Sequence, residues 1–132
     1  MNSTELWDKS NMVKDLAVIA LTDFIKNHIK DSINLMPYIE QGYCTNIDIY
    51  GCDNNGYGIS YNVDSIDVCD SGTIYINLSD GDGEYAEERK IEDFNCEDLI
   101  WILEMLEDLF ESIEDYSLPI LKVGEEFDED EL

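Results

Sequence analysis

The chain has 132 residues, of which 44% are hydrophobic, so it is long and apolar enough to bury the core of one domain. Thirty-two acids against seven bases leave a formal charge of −25. A magnitude of about 2–8 serves a small soluble domain, and charge of this density repels itself in the compact state. It also sets the chain against anionic lipid and nucleic acid phosphates, which excludes direct membrane-surface or DNA and RNA binding as an expected role.

The charge is uneven. Residues 1–66 hold nine acids and four bases, whereas residues 67–132 hold 23 acids and three bases. A binding face is therefore expected in the second half. The bias towards Asn, Ile, Asp and Tyr, with one Arg, fits an AT-rich genome such as that of a low-GC bacterium or its phage. The opening MNSTELWDKS has no basic stretch followed by an apolar one, so no signal peptide is expected. No apolar run approaches the ~20 residues of a membrane span. A cytoplasmic protein is expected.

In chain order, the first element is a helix. Leu16, Ala20 and Phe24 form one row, and Val18, Leu21, Ile25 and Ile29 a second. Together they predict a wide apolar face and a well-buried helix. It starts at Ser10 or Asn11, or earlier at Ser3, and ends near Asp31–Asn34, before Pro37. The middle alternates polar and apolar residues, first over Thr45–Tyr50 and then over Tyr57–Val63. Asp53-Asn54-Asn55-Gly56 between them is a hairpin signal, because Asn-Gly tolerates positive φ. Ile66–Cys69 and Thr73–Leu78 follow, joined by Asp70-Ser71-Gly72. The pattern predicts an antiparallel meander of three or four strands with one buried face.

Residues 79–90 are polar, contain two glycines and are expected to form a loop. Asn95 then caps a helix from about Cys96 to Asp115, with Asp98 three residues on. Residues 116–123 are mostly apolar and should pack back on the core. The predicted organisation is one α+β domain over 1–123, with the sheet between two helices in sequence and the C-terminal helix packed on it, followed by a mobile acidic tail over 124–132.

The last helix is unusual. Leu99, Ile102, Leu103, Leu106, Leu109, Phe110 and Ile113 fall on one side and form a core stripe. Glu97, Glu104, Glu107, Asp108, Glu111, Glu114 and Asp115 fall on another. Like charges three or four residues apart repel by roughly 0.2–0.5 kcal/mol per pair, and no Lys or Arg lies between Ile91 and Pro119. Solvated helix faces ordinarily mix both signs. Carboxylates one turn apart repeat every ~5.4 Å, on the scale of the phosphates of one DNA strand. Such a row suits a basic groove whose Arg and Lys side chains accept carboxylate in place of phosphate. Trp101 stands among these acids, with Ile100 and Met105 on its flanks. It is read either as an interface anchor, as a homodimer seam, or as packing beneath 116–123. Asp80, Asp82, Glu84, Glu87 and Glu88 form a second acidic cluster.

Other constellations carry less. Cys44, Cys52, Cys69 and Cys96 show no C-x-x-C pair, and reduced thiols are expected. Cys44 and Cys52 stand at opposite ends of one predicted strand. Asp53, Asn55, Gly58 and Asp64 match a calcium loop in part, but Tyr57 occupies a ligand position and the flanks read as strands. His28, with Ser32 one turn on, lacks a third group to orient it as a base. No catalytic residues, metal or cofactor are expected.

The acidic helix Glu97–Asp115, the segment Asp80–Glu88 and the tail Glu125–Glu131 resemble the small acidic inhibitors of phages and mobile elements, the DNA-mimic antirestriction and anti-CRISPR proteins. One anti-CRISPR type that occupies the PAM-binding site of Cas9 also joins a helix, a three-stranded sheet and further helices. The resemblance lies in composition and architecture. It implies a non-catalytic inhibitor that competes with nucleic acid for the basic groove of a nuclease or CRISPR effector. Immunity proteins that neutralise basic nuclease toxins use the same complementarity and are the alternative. A structural protein of a host with an acidic proteome is a third reading.

Overall fold

The computed structural model describes residues 3–52, 55–80 and 84–127, and over residues 3–12 it describes the backbone. Helix α1 (Ser3–His28) takes the earlier of the two predicted starts. A short strand β1 (Ser32–Asn34) follows, then a single-turn helix α2 (Met36–Glu40) opened by Pro37, whose fixed φ suits a first helical turn. Strands β2 (Asp48–Cys52), β3 (Gly58–Val68), β4 (Ile74–Ser79) and β5 (Ala86–Lys90) complete one antiparallel sheet. A 3-10 turn at Ile91–Asp93 leads into α3 (Cys96–Tyr116).

The α+β architecture is as predicted, but the sheet is wider, with five strands. The 11-residue β3 is its spine. Along one edge β3 pairs β2 (Ile49 with Tyr61) and, further along, β1 (Ile33 with Ile66). On its other edge it pairs β4 (Ile66 with Ile76). The two runs Tyr57–Val63 and Ile66–Cys69, expected as separate strands, are one. The register shifts between Val63 and Ser65, a bulge at Asp64. Because side chains alternate with period two, one extra residue moves the buried set from Tyr61 and Val63 to Ile66. In sequence that phase change looks like a strand break.

Strand β5 falls in the segment expected to be a loop. None of its residues has strong strand propensity. It forms because β4 offers an unpaired edge, and it pairs from Ser79–Ala86 to Tyr75–Lys90. The backbone N–H of Asp80 donates to the Tyr85 carbonyl at 3.1 Å to close the hairpin.

Both long helices contribute to one core with the inward face of the sheet. Leu21 and Ile25 of α1, with Ile29 just past its end, meet Ile49, Val63, Ile66, Ile76 and Leu78 of the sheet, and Leu99, Ile102, Leu106 and Leu109 of α3. The wide apolar face expected of α1 is only partly used. Leu21, Ile25 and Ile29 are buried, but Leu16 is 60% exposed and Ala20 is exposed. Those two lie on the far side of the helix from the core.

After α3 the chain crosses back as predicted and borders β1. The Asn34 N–H donates to the Leu121 carbonyl at 2.8 Å. Tyr38 Oη donates to the Pro119 carbonyl at 2.5 Å and accepts from the Leu121 N–H at 2.8 Å. The first residues of the expected tail are held as well. Phe127 packs edge-on against Tyr38, and the Asn34 side chain donates to the Glu125 carbonyl. Residues 128–132 lie outside the described residues.

Candidate protein-binding surface

Helix α3 begins at Asn95, whose Oδ1 accepts from the Asp98 N–H at 2.8 Å. It ends at Ser117, which adopts a left-handed conformation (φ 52°), while the Leu118 N–H donates to the Ile113 carbonyl. Between these caps the apolar stripe is buried and the opposite face belongs to carboxylates. Glu97, Glu104, Glu107, Asp108, Glu111, Glu114 and Asp115 are all exposed. The ion pairs among the described residues are Arg89–Glu87 and Lys122–Asp31, so none of the described cations is paired with this face. Glu114 and Asp115 also lie in the last turn, where the helix dipole disfavours anions and where α3 has no basic residue.

Asp98 differs from its neighbours. It is 8% exposed, and loss of solvent raises its pKa. The Arg89 guanidinium and the Asn95 hydrogen bond pull the other way, while Glu97 adds to the rise. Arg89 itself lies over the Phe94 ring, 4.8 Å from its centroid. Asp98 is thus part of the base of the helix, not of its outer face.

Trp101 is 42% exposed and Ile100 41% exposed, both among the acids. Trp101 borders a groove of about 300 Å³ lined by Thr45, Ile47, Glu104, Met105 and Asp108. The far wall belongs to the segment before β2, which Ser112 ties to the helix by donating to the Tyr43 carbonyl at 3.1 Å. Below it Cys44 is buried. Burial, with a smaller effect of the nearby Asp108 carboxylate, pushes its thiol up to about 11, so it stays protonated at neutral pH.

A second groove, about 500 Å³, runs along the other flank of α3, where it meets α1. Glu107, Glu111 and Glu114 line one side, and Phe24, His28 and Phe110 form its apolar part. His28 stacks on Phe24 at 4.1 Å and donates its Nδ1–H to the Phe24 carbonyl. Ser32 is not its partner. That residue is in β1, and its Oγ accepts from the Val123 N–H at 3.2 Å. The acids of α3 thus form a ridge between two partly apolar grooves.

The second predicted cluster is dispersed. Asp80 is half-buried at the start of the β4–β5 turn, Glu84 is exposed within that turn, and Asp82 lies outside the described residues. Glu87 stands opposite Leu78, on the helix side of the sheet, and is paired with Arg89. Glu88 stands opposite Asn77, on the other side. Glu87 and Glu88 therefore do not share one surface. Among the described residues no group of three or more His, Cys, Asp or Glu is placed to hold a metal ion, and no helix is long and apolar enough to cross a membrane.

The walls supplied by Thr45, Ile47, Phe24 and His28 were not legible as site residues in the sequence. Only the Phe24–His28 spacing of four gave a local signal; the other juxtapositions are tertiary. Compared with known protein families, curated proteins and solved structures, the chain matches none.

Proposed function

We propose that the chain is a non-catalytic inhibitor that occupies the basic nucleic-acid-binding groove of a nuclease or CRISPR effector, inside a bacterial cell, with its carboxylates in place of phosphates. One observation carries this reading: the ridge of α3 holds seven exposed carboxylates, none of them ion-paired among the described residues. Their like-charge repulsion and the adverse helix dipole cost stability, and a complementary partner turns the same field into affinity and fast encounter. Glu104, Glu107, Asp108 and Glu111 supply the centre, Glu97, Glu114 and Asp115 the ends, and Trp101 the anchor.

The test is displacement. A fluorescent DNA duplex bound to a guide-loaded Cas9 or to a restriction endonuclease is titrated with the protein at low and high salt. Salt-sensitive release of the duplex is expected, and at least tenfold more protein should be needed when Glu104→Gln, Glu107→Gln, Asp108→Asn and Glu111→Gln are combined. Release unchanged by those four substitutions removes α3 from the interface. Binding to a basic nuclease that keeps its duplex points instead to toxin immunity.

A further inference from the structure

We infer that the groove beside Trp101 is a socket for a single arginine side chain of the partner. This rests on the reading of α3 as the partner-binding surface and states which residue type that surface selects. Trp101, Glu104, Met105 and Asp108 follow at intervals of three, one and three, which places them on one flank of α3. Ile47 and Thr45 close the other side. At about 300 Å³ the groove is at the lower limit of small-molecule pockets, a scale suited to one long side chain.

The lining is graded. Met105 is buried and Ile47 half-buried, giving an apolar floor for a methylene stem. Glu104 and Asp108, one turn apart and both exposed, flank the mouth and can each accept from a guanidinium fork. Trp101 stacks on no other ring among the described residues and is 42% exposed, so it has accessible surface to offer a planar cation. The larger groove differs, because its Phe24 and His28 rings already stack and Phe110 packs edge-on or tilted against both. The chain itself uses a guanidinium over an aromatic ring at Arg89 and Phe94. A lysine would satisfy the carboxylates equally well but would gain less from the ring, since a compact ammonium cannot stack.

The experiment compares a short polyarginine peptide with a polylysine peptide of equal length, read by Trp101 fluorescence in a Trp7→Phe background and by calorimetry. Polyarginine is expected to bind roughly 5- to 30-fold more tightly. Trp101→Ala and Trp101→Leu are both expected to abolish that preference while leaving polylysine binding within about twofold. Equal affinity for the two peptides, or a preference that survives both Trp101 substitutions, overturns the socket and leaves charge mimicry standing. Failure of both peptides to bind at low salt overturns the socket and the charge reading together.

Discussion

The outer faces of the two long helices differ in kind. On α1, Val13, Leu16 and Ile19 are 52%, 60% and 56% exposed, and the charged side chains over residues 13–28 balance, with Lys14 and Lys26 against Asp15 and Asp23. On α3 the outer face carries seven carboxylates and no base. Both helices give their inner faces to the same core. Exposure on this fold therefore does not by itself demand charge, and α3 differs from α1 in carrying acids with no base among them. What α3 loses in local stability is supplied by its packing, through Leu99, Ile102, Leu106 and Leu109, all fully buried.

The largest expected effect tests the two sides of α1. Leu21→Ala should cost about 2–5 kcal/mol, because it opens a cavity in a packed core. Leu16→Ala should stay within about 0.5 kcal/mol. Urea unfolding followed by circular dichroism measures both. A cost at Leu16 comparable to that at Leu21 would mean that the apolar outer face is covered in solution.

The next effect concerns the α3 ridge. Neutralising Glu104, Glu107, Asp108 and Glu111 together removes six like-charge pairs at three- and four-residue spacing, four within the set and two from Glu111 to Glu114 and Asp115. Stability should rise by about 1–2 kcal/mol at low salt, and the gain should shrink as salt screens the charges. The same variant is the one expected to lose binding. Opposite signs for stability and binding are the mark of a surface kept for function; a variant that is no more stable than the parent removes the cost on which the comparison rests.

The smallest effect is the pH dependence of Asp98. Its pKa is raised in the fold above the ordinary value of 3.8, so the native state holds its proton more tightly than the unfolded chain does. The penalty of the buried carboxylate is fully present above the raised pKa and is lifted as pH falls from there towards 3.8. Asp98→Asn should accordingly stabilise the protein at pH 7, by under about 1 kcal/mol, and the gain should vanish near pH 4. A gain of the same size at both pH values would assign the effect to something other than ionisation.

Much of this protein was legible in its residues. The 3.6-residue period of the core stripe and the Asn95 cap place α3, the turn at Asp70-Ser71-Gly72 places the β3–β4 hairpin, and the absence of bases from 92 to 118 leaves the ridge without a cation on its own helix. These are short-range properties, set by backbone geometry and by neighbours along one helix or turn. Tertiary structure decided the rest. Strand β5 exists because β4 leaves an edge to pair, not because Ala86–Lys90 favour a strand. The bulge at Asp64 joins two runs whose change of phase looks like a boundary. Which apolar row of α1 is buried depends on where α3 and the sheet lie. Trp101 gains a groove only because Cys44 and the Ser112–Tyr43 hydrogen bond bring Thr45 and Ile47 beside it, more than fifty residues away along the chain. Local sequence determines which side chains share a face; packing between distant segments determines what that face meets.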